Sequence, residues 1–209
     1  SFKYFKEQHF NFEDFENVID EVSGVQDKIV ILLNFPNNPN GYVPTKEDSL
    51  KLIEILQAKQ KKIKKPIVII IDDAYEPYLH SDNVINRSLF YDLQELEEDI
   101  IPIKLDGATK ELLIYGARIG FITIGLKPNW TKNDKELEIL KNEIDNKLSG
   151  LIRSTISNSN HFYQAVMIDL FKIKGIEEIL KMRDPVQKLL KERYIKINSE
   201  LKKIKNPNI

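Results

Sequence analysis

Short apolar runs alternate along the chain with longer segments in which apolar residues recur at helical spacing. Four apolar runs predict strands, at 29–33, 67–71, 100–105 and 118–124. The segments between and after them predict helices at 12–22, 45–65, 86–97, 131–148 and 160–173, with a last helix starting at Asp184 and Pro185. This alternation is typical of an α/β protein. It predicts a three-layer sandwich in which helices cover both faces of a mostly parallel central sheet.

The run 67–71 is the most uniformly apolar segment, and it ends in Asp72, Asp73, Ala74 and Tyr75. A short strand with no polar alternation is typical of a central parallel strand that is covered on both faces. Ligands in such sheets bind at the carboxyl ends of the strands, so Asp72 is a candidate site residue. A cap of the following turn is the alternative explanation for this aspartate. Asp73 is expected to face the other way and to be structural.

Polar residues also follow the other predicted strands. The first strand leads into the sequence NFPNNPNG, which contains Asn38 and whose prolines and glycine predict a fixed turn. Lys110 follows the third strand in a predicted loop, after a predicted turn at Asp106 and Gly107, and Arg118 opens the fourth strand. Taken singly, a turn, a solvated lysine and an ion-paired arginine explain these residues. None of them alone identifies a site.

Together these residues resemble one family. The motifs are NNPNG, then DDAY after a run of isoleucines, then a lysine with an arginine eight positions later inside GxRxG. Their order and spacing resemble the fold-type I pyridoxal-phosphate enzymes, and among them the class I/II aminotransferases. The resemblance implies a partial large domain of an aspartate-aminotransferase-like fold. It implies that 1–175 is the central part of the cofactor-binding domain and that 176–209 is a connecting helical segment toward a small domain.

The resemblance assigns roles to the matched residues. It implies that Lys110 forms the imine with pyridoxal 5'-phosphate and shuttles a proton once a substrate amine displaces it. Asp72 is implied to face the pyridine nitrogen, where a pair at about 4 Å and an effective dielectric near 20 contributes about 4 kcal/mol. Tyr75 and Asn38 are implied to hydrogen-bond the phenolic oxygen of the cofactor.

The phosphate contacts follow the family less closely. Arg118 is implied to bind the cofactor phosphate, a task that suits a planar guanidinium. The family usually carries a hydroxyl residue three places before the lysine, where this chain has Gly107. Thr109 retains a hydroxyl next to Lys110 and is the remaining candidate on this side.

The activity implied by the resemblance is transamination. An amino acid would give its amino group to the cofactor and leave as a 2-oxo acid, and a second 2-oxo acid would reverse the reaction. Two alternatives remain open: a non-catalytic piece of the fold, and another pyridoxal-phosphate reaction such as decarboxylation or elimination. The family's upstream phosphate loop and downstream carboxylate-binding arginine have no counterpart in these 209 residues. We therefore expect this stretch alone to turn over substrate barely or not at all.

A further arginine resembles a substrate-binding residue of aspartate-type members. There, an arginine four residues before a Ser-Asn pair reaches the neighbouring subunit's site, and Arg153, Ser157 and Asn158 have this spacing. The resemblance implies a homodimer with composite sites and a preference for dicarboxylic amino acids. A helix-end arginine paired with a surface acid is the alternative explanation.

The composition narrows the class of protein. The chain is 42% hydrophobic and 30% charged, which is ordinary for a soluble globular domain. It has no cysteine, which excludes disulfides and thiol chemistry, and a net charge of -1 gives no reason to expect nucleic acid or an anionic membrane as partner. No apolar stretch approaches a membrane span and no signal-peptide pattern is present, so the expected location is the cytoplasm. No metal site is predicted.

Overall fold

The computed structural model describes residues 3–6 and 9–204. The strands are β1 (Phe5–Lys6), β2 (His9–Phe10), β3 (Ile29–Asn34), β4 (Ile67–Asp72), β5 (Ile100–Gly107) and β6 (Gly120–Ile124). The helices are α1 (Phe12–Val25), α2 (Lys46–Ile63), α3 (Leu89–Gln94), α4 (Ala108–Glu111), α5 (Asp134–Thr155), α6 (His161–Lys174) and α7 (Ile176–Leu201). Short 3₁₀ turns lie at Tyr115–Ala117 and Pro128–Trp130.

The main sheet has the strand order β3-β4-β5-β6. β3, β4 and β5 run parallel, while β6 pairs antiparallel with β5. The register sets Asn34 opposite Asp72, and Asp72 opposite Leu105, so the carboxyl ends of three strands meet at one edge. The predicted α/β class and mostly parallel sheet are confirmed.

One face of this sheet holds the main core. The buried side chains come from alternate strand positions and from the helices α1, α2 and α3, and include Phe15, Ile19, Leu33, Leu52, Leu56, Ile69, Ile71, Leu89, Leu93 and Ile100. A second, smaller cluster joins α6 to the segment before β6 through Ala108, Ala117, Ile119 and Met167. Burial of apolar area on this scale is the main term favouring the fold.

The opposite face of the sheet is more open than predicted. Val30 and Leu32 of β3 are 54% and 62% exposed, and Val68 and Ile70 of β4 are half-buried. The expectation that both faces of β4 are covered is therefore only partly met in residues 3–6 and 9–204. The isoleucine run reflects one fully buried face, with helices α1 to α3 packed on that side.

The chain around Lys110 differs from the sequence prediction. The predicted turn at 106–107 is wrong, because Asp106 and Gly107 extend β5 and pair with Phe121 and Gly120 of β6. Lys110 lies on the one-turn helix α4 rather than in a loop. β6 starts at Gly120, two residues after the predicted position. β5 is longer than predicted because its last residues pair antiparallel with β6. Polar residues after an apolar run do not reveal that another strand pairs there.

Helix ends account for the other differences. α3 covers 89–94 instead of 86–97, and α5 and α6 begin within three residues of their predicted starts. The capping box of α2 is present: the Thr45 hydroxyl accepts from the Asp48 amide, and the Asp48 carboxylate accepts from the Thr45 amide. No helix in the described part of the chain combines the length and apolarity that crossing a bilayer requires.

The last helix starts earlier than predicted. α7 begins at Ile176, directly after Gly175, and Pro185 lies inside it. Proline favours the first turn of a helix because it has no N–H to donate, which is why the sequence favoured a start at Pro185. Here the helix continues through the proline, and contacts on both sides of it hold α7 to the domain. Arg183 pairs with Glu111, and the Gln187 amide donates to the Pro77 carbonyl.

Candidate active site

A cavity of about 530 Å³ lies at the carboxyl ends of β3, β4 and β5. Its lining residues are Asn34, Asn38, Asp72, Ala74, Tyr75, Leu105, Asp106, Gly107, Thr109, Lys110, Arg118, Ile119 and Gly120. All six residues proposed from the sequence to hold the cofactor are among them: Asn38, Asp72, Tyr75, Thr109, Lys110 and Arg118. Parallel strands bring these residues together from segments that are far apart in the chain.

The strand pairing and a short turn hold Asp72. Asp72 is the last residue of β4, and its carbonyl accepts a hydrogen bond of 3.1 Å from the Asn34 amide of β3. Its carboxylate accepts one of 3.2 Å from the backbone N–H of Ala74. The carboxylate therefore caps the following turn and also faces the cavity. The two explanations of this aspartate from the sequence are compatible.

Asn38 is fixed by the turn that follows β3. Its backbone N–H donates to the Asn34 Oδ1 at 2.8 Å, and Gly41 closes the turn by donating to the Asn37 carbonyl at 2.8 Å. Gly41 has φ +73°, a conformation that favours glycine. The peptide bonds before Pro36 and Pro39 are cis. The Asn34 side chain therefore hydrogen-bonds both Asn38 and Asp72. The sequence prediction missed this role, although Asn34 and Asp72 end two paired strands.

Lys110 and Tyr75 lie side by side in the cavity. The Lys110 Nζ is 5.2 Å from the centre of the Tyr75 ring, within the range of a cation–π contact. The Tyr78 hydroxyl donates to the Lys110 carbonyl at 2.8 Å, which anchors α4 to the segment after β4. The amine is therefore carried by a short helix that is tied down at its backbone.

Arg118 and Thr109 also line the cavity and contact each other. The Arg118 Nη1 donates to the Thr109 Oγ1 at 3.4 Å. Arg118 adopts φ 53° and ψ 47°, the left-handed region, which costs a non-glycine residue about 1 kcal/mol. Gly107, which stands where the family has a hydroxyl residue, also lines the cavity. A guanidinium and a hydroxyl at one wall are suited to an anion.

Behind the cavity lies a buried ionic cluster. Asp73 is 3% exposed, and its carboxylate accepts from the Ser88 hydroxyl and lies 3.7 Å from the Lys104 Nζ. Burial raises the Asp73 pKa to about 7, although the Ser88 hydrogen bond and the Lys104 charge oppose that rise. These contacts fit the expected structural role of Asp73. Lys104 was not singled out from the sequence, because a lysine in a strand gives no signal of its partners.

Arg153 lies elsewhere in the structure. It is exposed in the last turn of α5, and its guanidinium donates to the Ser157 hydroxyl at 2.9 Å. It does not line the cavity among the described residues. The surface acid suggested as its partner is replaced by this contact with Ser157. Its proposed role in a neighbouring subunit stays a prediction.

Comparison with known proteins decides the family. The model of the family described as "Aminotransferase class I and II" matches residues 1–205. The chain belongs to this family. An aspartate aminotransferase of Sulfolobus acidocaldarius is 25% identical over 195 residues, which is 93% of this chain and 39% of that protein. A tyrosine aminotransferase of Caenorhabditis elegans is 38% identical over 95 residues, which is 45% of this chain and 18% of that protein.

Solved aminotransferases share the fold. An aminotransferase from Anaerococcus prevotii superposes with a TM-score of 0.74 at 25% identity, over 92% of this chain and 45% of that one. An aromatic amino acid aminotransferase from Burkholderia cenocepacia superposes with a TM-score of 0.65 at 17% identity, over 92% of this chain and 43% of its own. This aminotransferase-family chain thus spans less than half the length of these relatives. It is a partial domain of their fold.

Proposed function

We propose that the full-length protein is a pyridoxal-phosphate-dependent aminotransferase that moves an amino group between an amino acid and a 2-oxo acid. One observation carries the proposal. Asn38, Asp72, Tyr75, Lys110 and Arg118 come from three separate segments of the chain and line a single cavity. In a member of this family, that convergence supports a cofactor site more strongly than any one motif does.

The donor set fits the chemistry of pyridoxal phosphate. The Arg118 guanidinium and the Thr109 hydroxyl, 3.4 Å apart, would hold the phosphate. Asp72 would face the ring nitrogen, and Tyr75 and Asn38 would hydrogen-bond the phenolic oxygen. When bound, the cofactor supplies an aldehyde that captures amines and a ring that withdraws electrons.

The chain's own groups would perform binding and proton transfer. The Lys110 amine would be the nucleophile for the aldehyde carbon, and once released it would be the base that holds a proton removed from the substrate Cα. The hydrogen bond from Tyr78 to the Lys110 carbonyl supports this role, because it fixes the helix from which the amine projects. The Asp72 carboxylate would hold the ring nitrogen in its protonated form by charge attraction.

Several finer features belong to the same proposal. The substrates would be an amino acid and a 2-oxo acid, the assembly a homodimer, and the compartment the cytoplasm. The boundary at 175/176 would separate the cofactor domain from a connecting helix, which is supported by Gly175 between α6 and α7. Arg153 would bind a dicarboxylate in the partner subunit. The relatives' substrates differ among themselves, so the donor amino acid is left open.

Trapping of the cofactor on Lys110 tests the proposal. Full-length protein is incubated with pyridoxal phosphate, reduced with borohydride and mapped by peptide mass. The adduct should appear on the peptide containing Lys110 and disappear in Lys110→Ala, while Lys147→Ala on the exposed face of α5 should retain it. An unchanged adduct in Lys110→Ala would overturn the assignment.

The reaction type needs a second measurement. Full-length wild-type protein that has not been reduced with borohydride is assayed with a panel of amino acids and 2-oxo acids. Release of a 2-oxo acid together with a new amino acid supports transamination. Release of carbon dioxide and an amine would instead identify a decarboxylase, and loss of a leaving group from the β-carbon would identify an elimination. No turnover with any amino acid would favour a non-catalytic protein.

A further inference from the structure

A lysine with no role in the proposed chemistry lies buried beside the candidate site. Lys104, on β5, is 7% exposed. Its Nζ lies 2.9 Å from a Glu76 carboxylate oxygen and 3.7 Å from one of Asp73, and it also pairs with Asp106. A buried ammonium persists only when its desolvation is offset by such partners. Desolvation lowers the Lys104 pKa, but the hydrogen bonds that the ammonium donates to the Asp106 and Glu76 carboxylates outweigh it, so the Lys104 pKa is raised.

The partners of Lys104 belong to the two segments that build the site. Asp73 and Glu76 lie in the same segment as Asp72 and Tyr75, and the Glu76 N–H donates to the Asp73 carbonyl at 2.9 Å. Asp106 is part of the strand end that leads to Lys110, and it lines the cavity itself. One ammonium therefore joins the segment that carries the acid and the phenol to the segment that carries the amine.

The cluster also has an unbalanced charge. Three carboxylates face one ammonium, and their oxygen atoms lie within 4.8 Å of one another. Such a group of carboxylates could bind a cation, and here the Lys104 ammonium serves as that cation. Asp106 lines the same cavity as Lys110, so the cluster around Lys104 reaches the wall of that cavity.

We propose that Lys104 is a positioning residue of the candidate active site. By pairing with Asp73, Glu76 and Asp106, it sets the distance between the Lys110 segment and the Asp72–Tyr75 segment and limits the negative charge near the amine. The inference rests on the proposed function, because it assigns Lys104 a purpose in holding the cofactor site. Removal of the ammonium should loosen the cofactor site by releasing the contact between these two segments.

The chain offers a matched control. Lys59 on α2 is 8% exposed, and its Nζ lies 2.8 Å from Asp20 and 3.4 Å from Glu16 on α1. It is buried to the same extent as Lys104 and also pairs with more than one acid, but neither of its partners lines the cavity, whereas Asp106 does. Lys59→Met and Lys104→Met should therefore both lower thermal stability. Effects on the site should appear only in Lys104→Met.

The test compares three variants of the full-length protein: Lys104→Met, Lys104→Arg and Lys59→Met. Two quantities are measured beside the unfolding temperature. The first is the dissociation constant of pyridoxal phosphate, which Lys104→Met should raise by about tenfold or more, as loss of a supporting partner does elsewhere. The second is the rate at which acetic anhydride labels Lys110 in cofactor-free protein, which should rise because a loosened segment exposes the half-buried amine. Lys104→Arg should restore both at least in part, and Lys59→Met should match wild type.

The outcomes separate this inference from the proposed function. If wild type traps the cofactor on Lys110 and Lys104→Met behaves like Lys59→Met in both measurements, Lys104 is merely structural and the inference fails. If wild type traps no cofactor, the proposed function fails, and the inference is decided by the labelling of Lys110 alone. Should Lys104→Met not fold, Glu76→Gln replaces it. That variant removes one partner of the ammonium and should change both quantities in the same direction by less, and an effect absent there overturns the inference.

Discussion

Arg118, which lines the candidate site, has a strained backbone conformation. A residue held at φ 53° is less stable as alanine than as glycine by about 1 kcal/mol, because Cβ crowds the backbone in the left-handed region. We expect Arg118→Gly to be more stable than Arg118→Ala by that amount in thermal unfolding. Both variants lose the guanidinium, so both should bind pyridoxal phosphate equally weakly. Equal stability of the two would show that the left-handed conformation is not retained.

The titration of Asp73 predicts how stability depends on pH. Burial raises its folded pKa from 3.8 to about 7, so folding favours the protonated acid. The resulting stabilisation is complete below pH 3.8 and is lost as the pH rises to about 7. Urea unfolding between pH 4 and pH 8 should therefore show a smaller loss of stability with rising pH in Asp73→Asn than in wild type. Parallel curves for the two proteins would mean that Asp73 is ionised throughout.

At the scale of elements, α7 is attached to the site by few but specific contacts. The Arg183 guanidinium pairs with the Glu111 carboxylate and also donates to the Glu111 carbonyl at 3.3 Å. Both side chains are partly buried and the pair is charged, so we expect a coupling free energy of about 1.5–3 kcal/mol. A double-mutant cycle with Arg183→Met and Glu111→Gln, followed by urea unfolding, measures it. Additive effects of the two substitutions would show that the pair is not formed.

The boundaries of the strands and helices show which of them the hydrophobic pattern of the sequence can locate. β3 and β4 were predicted closely because β-branched runs end abruptly at Asn34 and Asp72, and polar residues mark the end of a buried strand. Pro185 misled the prediction of α7, because its preference for a first turn is a local rule and the packing of Arg183 and Gln187 is a tertiary effect. β5 was predicted too short for the same reason, since its last two residues are strand only through their pairing with β6.

For the whole molecule, the candidate site was predictable where it follows from topology. The family resemblance assigned a carboxylate, an amide and an amine to one site, and the convergence of neighbouring parallel strand ends explains why they meet. The roles of Asn34 and Lys104 were not predicted, because they depend on partners that are distant in sequence or numerous. Asn34 contacts Asp72, 38 positions away, and Lys104 contacts three acids. Pairwise contacts of this kind leave no periodic trace in a single sequence.

The open surfaces of the chain predict its behaviour in isolation. Leu32 is 62% exposed, and α5 has no buried residue along its length. A polypeptide of residues 1–209 alone should therefore self-associate in light scattering, bind pyridoxal phosphate poorly and turn over amino acids barely or not at all. The full-length protein measured beside it is the control. Comparable turnover by the two would mean that the remaining segments contribute little to the site.

The pairing of β5 with β6 gives two site residues a common origin. Lys110 and Arg118 lie in the single connection between these adjacent antiparallel strands, whereas Asp72 and Asn38 come from β4 and the turn after β3. The amine and the guanidinium thus belong to one local segment. Moving this segment together with β5 and β6 onto another sheet would keep their separation. The carboxylate and the amide belong to different segments, so their separation depends on the pairing of β3 with β4. A rearrangement that separated β3 from β4 would therefore keep Lys110 and Arg118 together but move Asn38 away from Asp72.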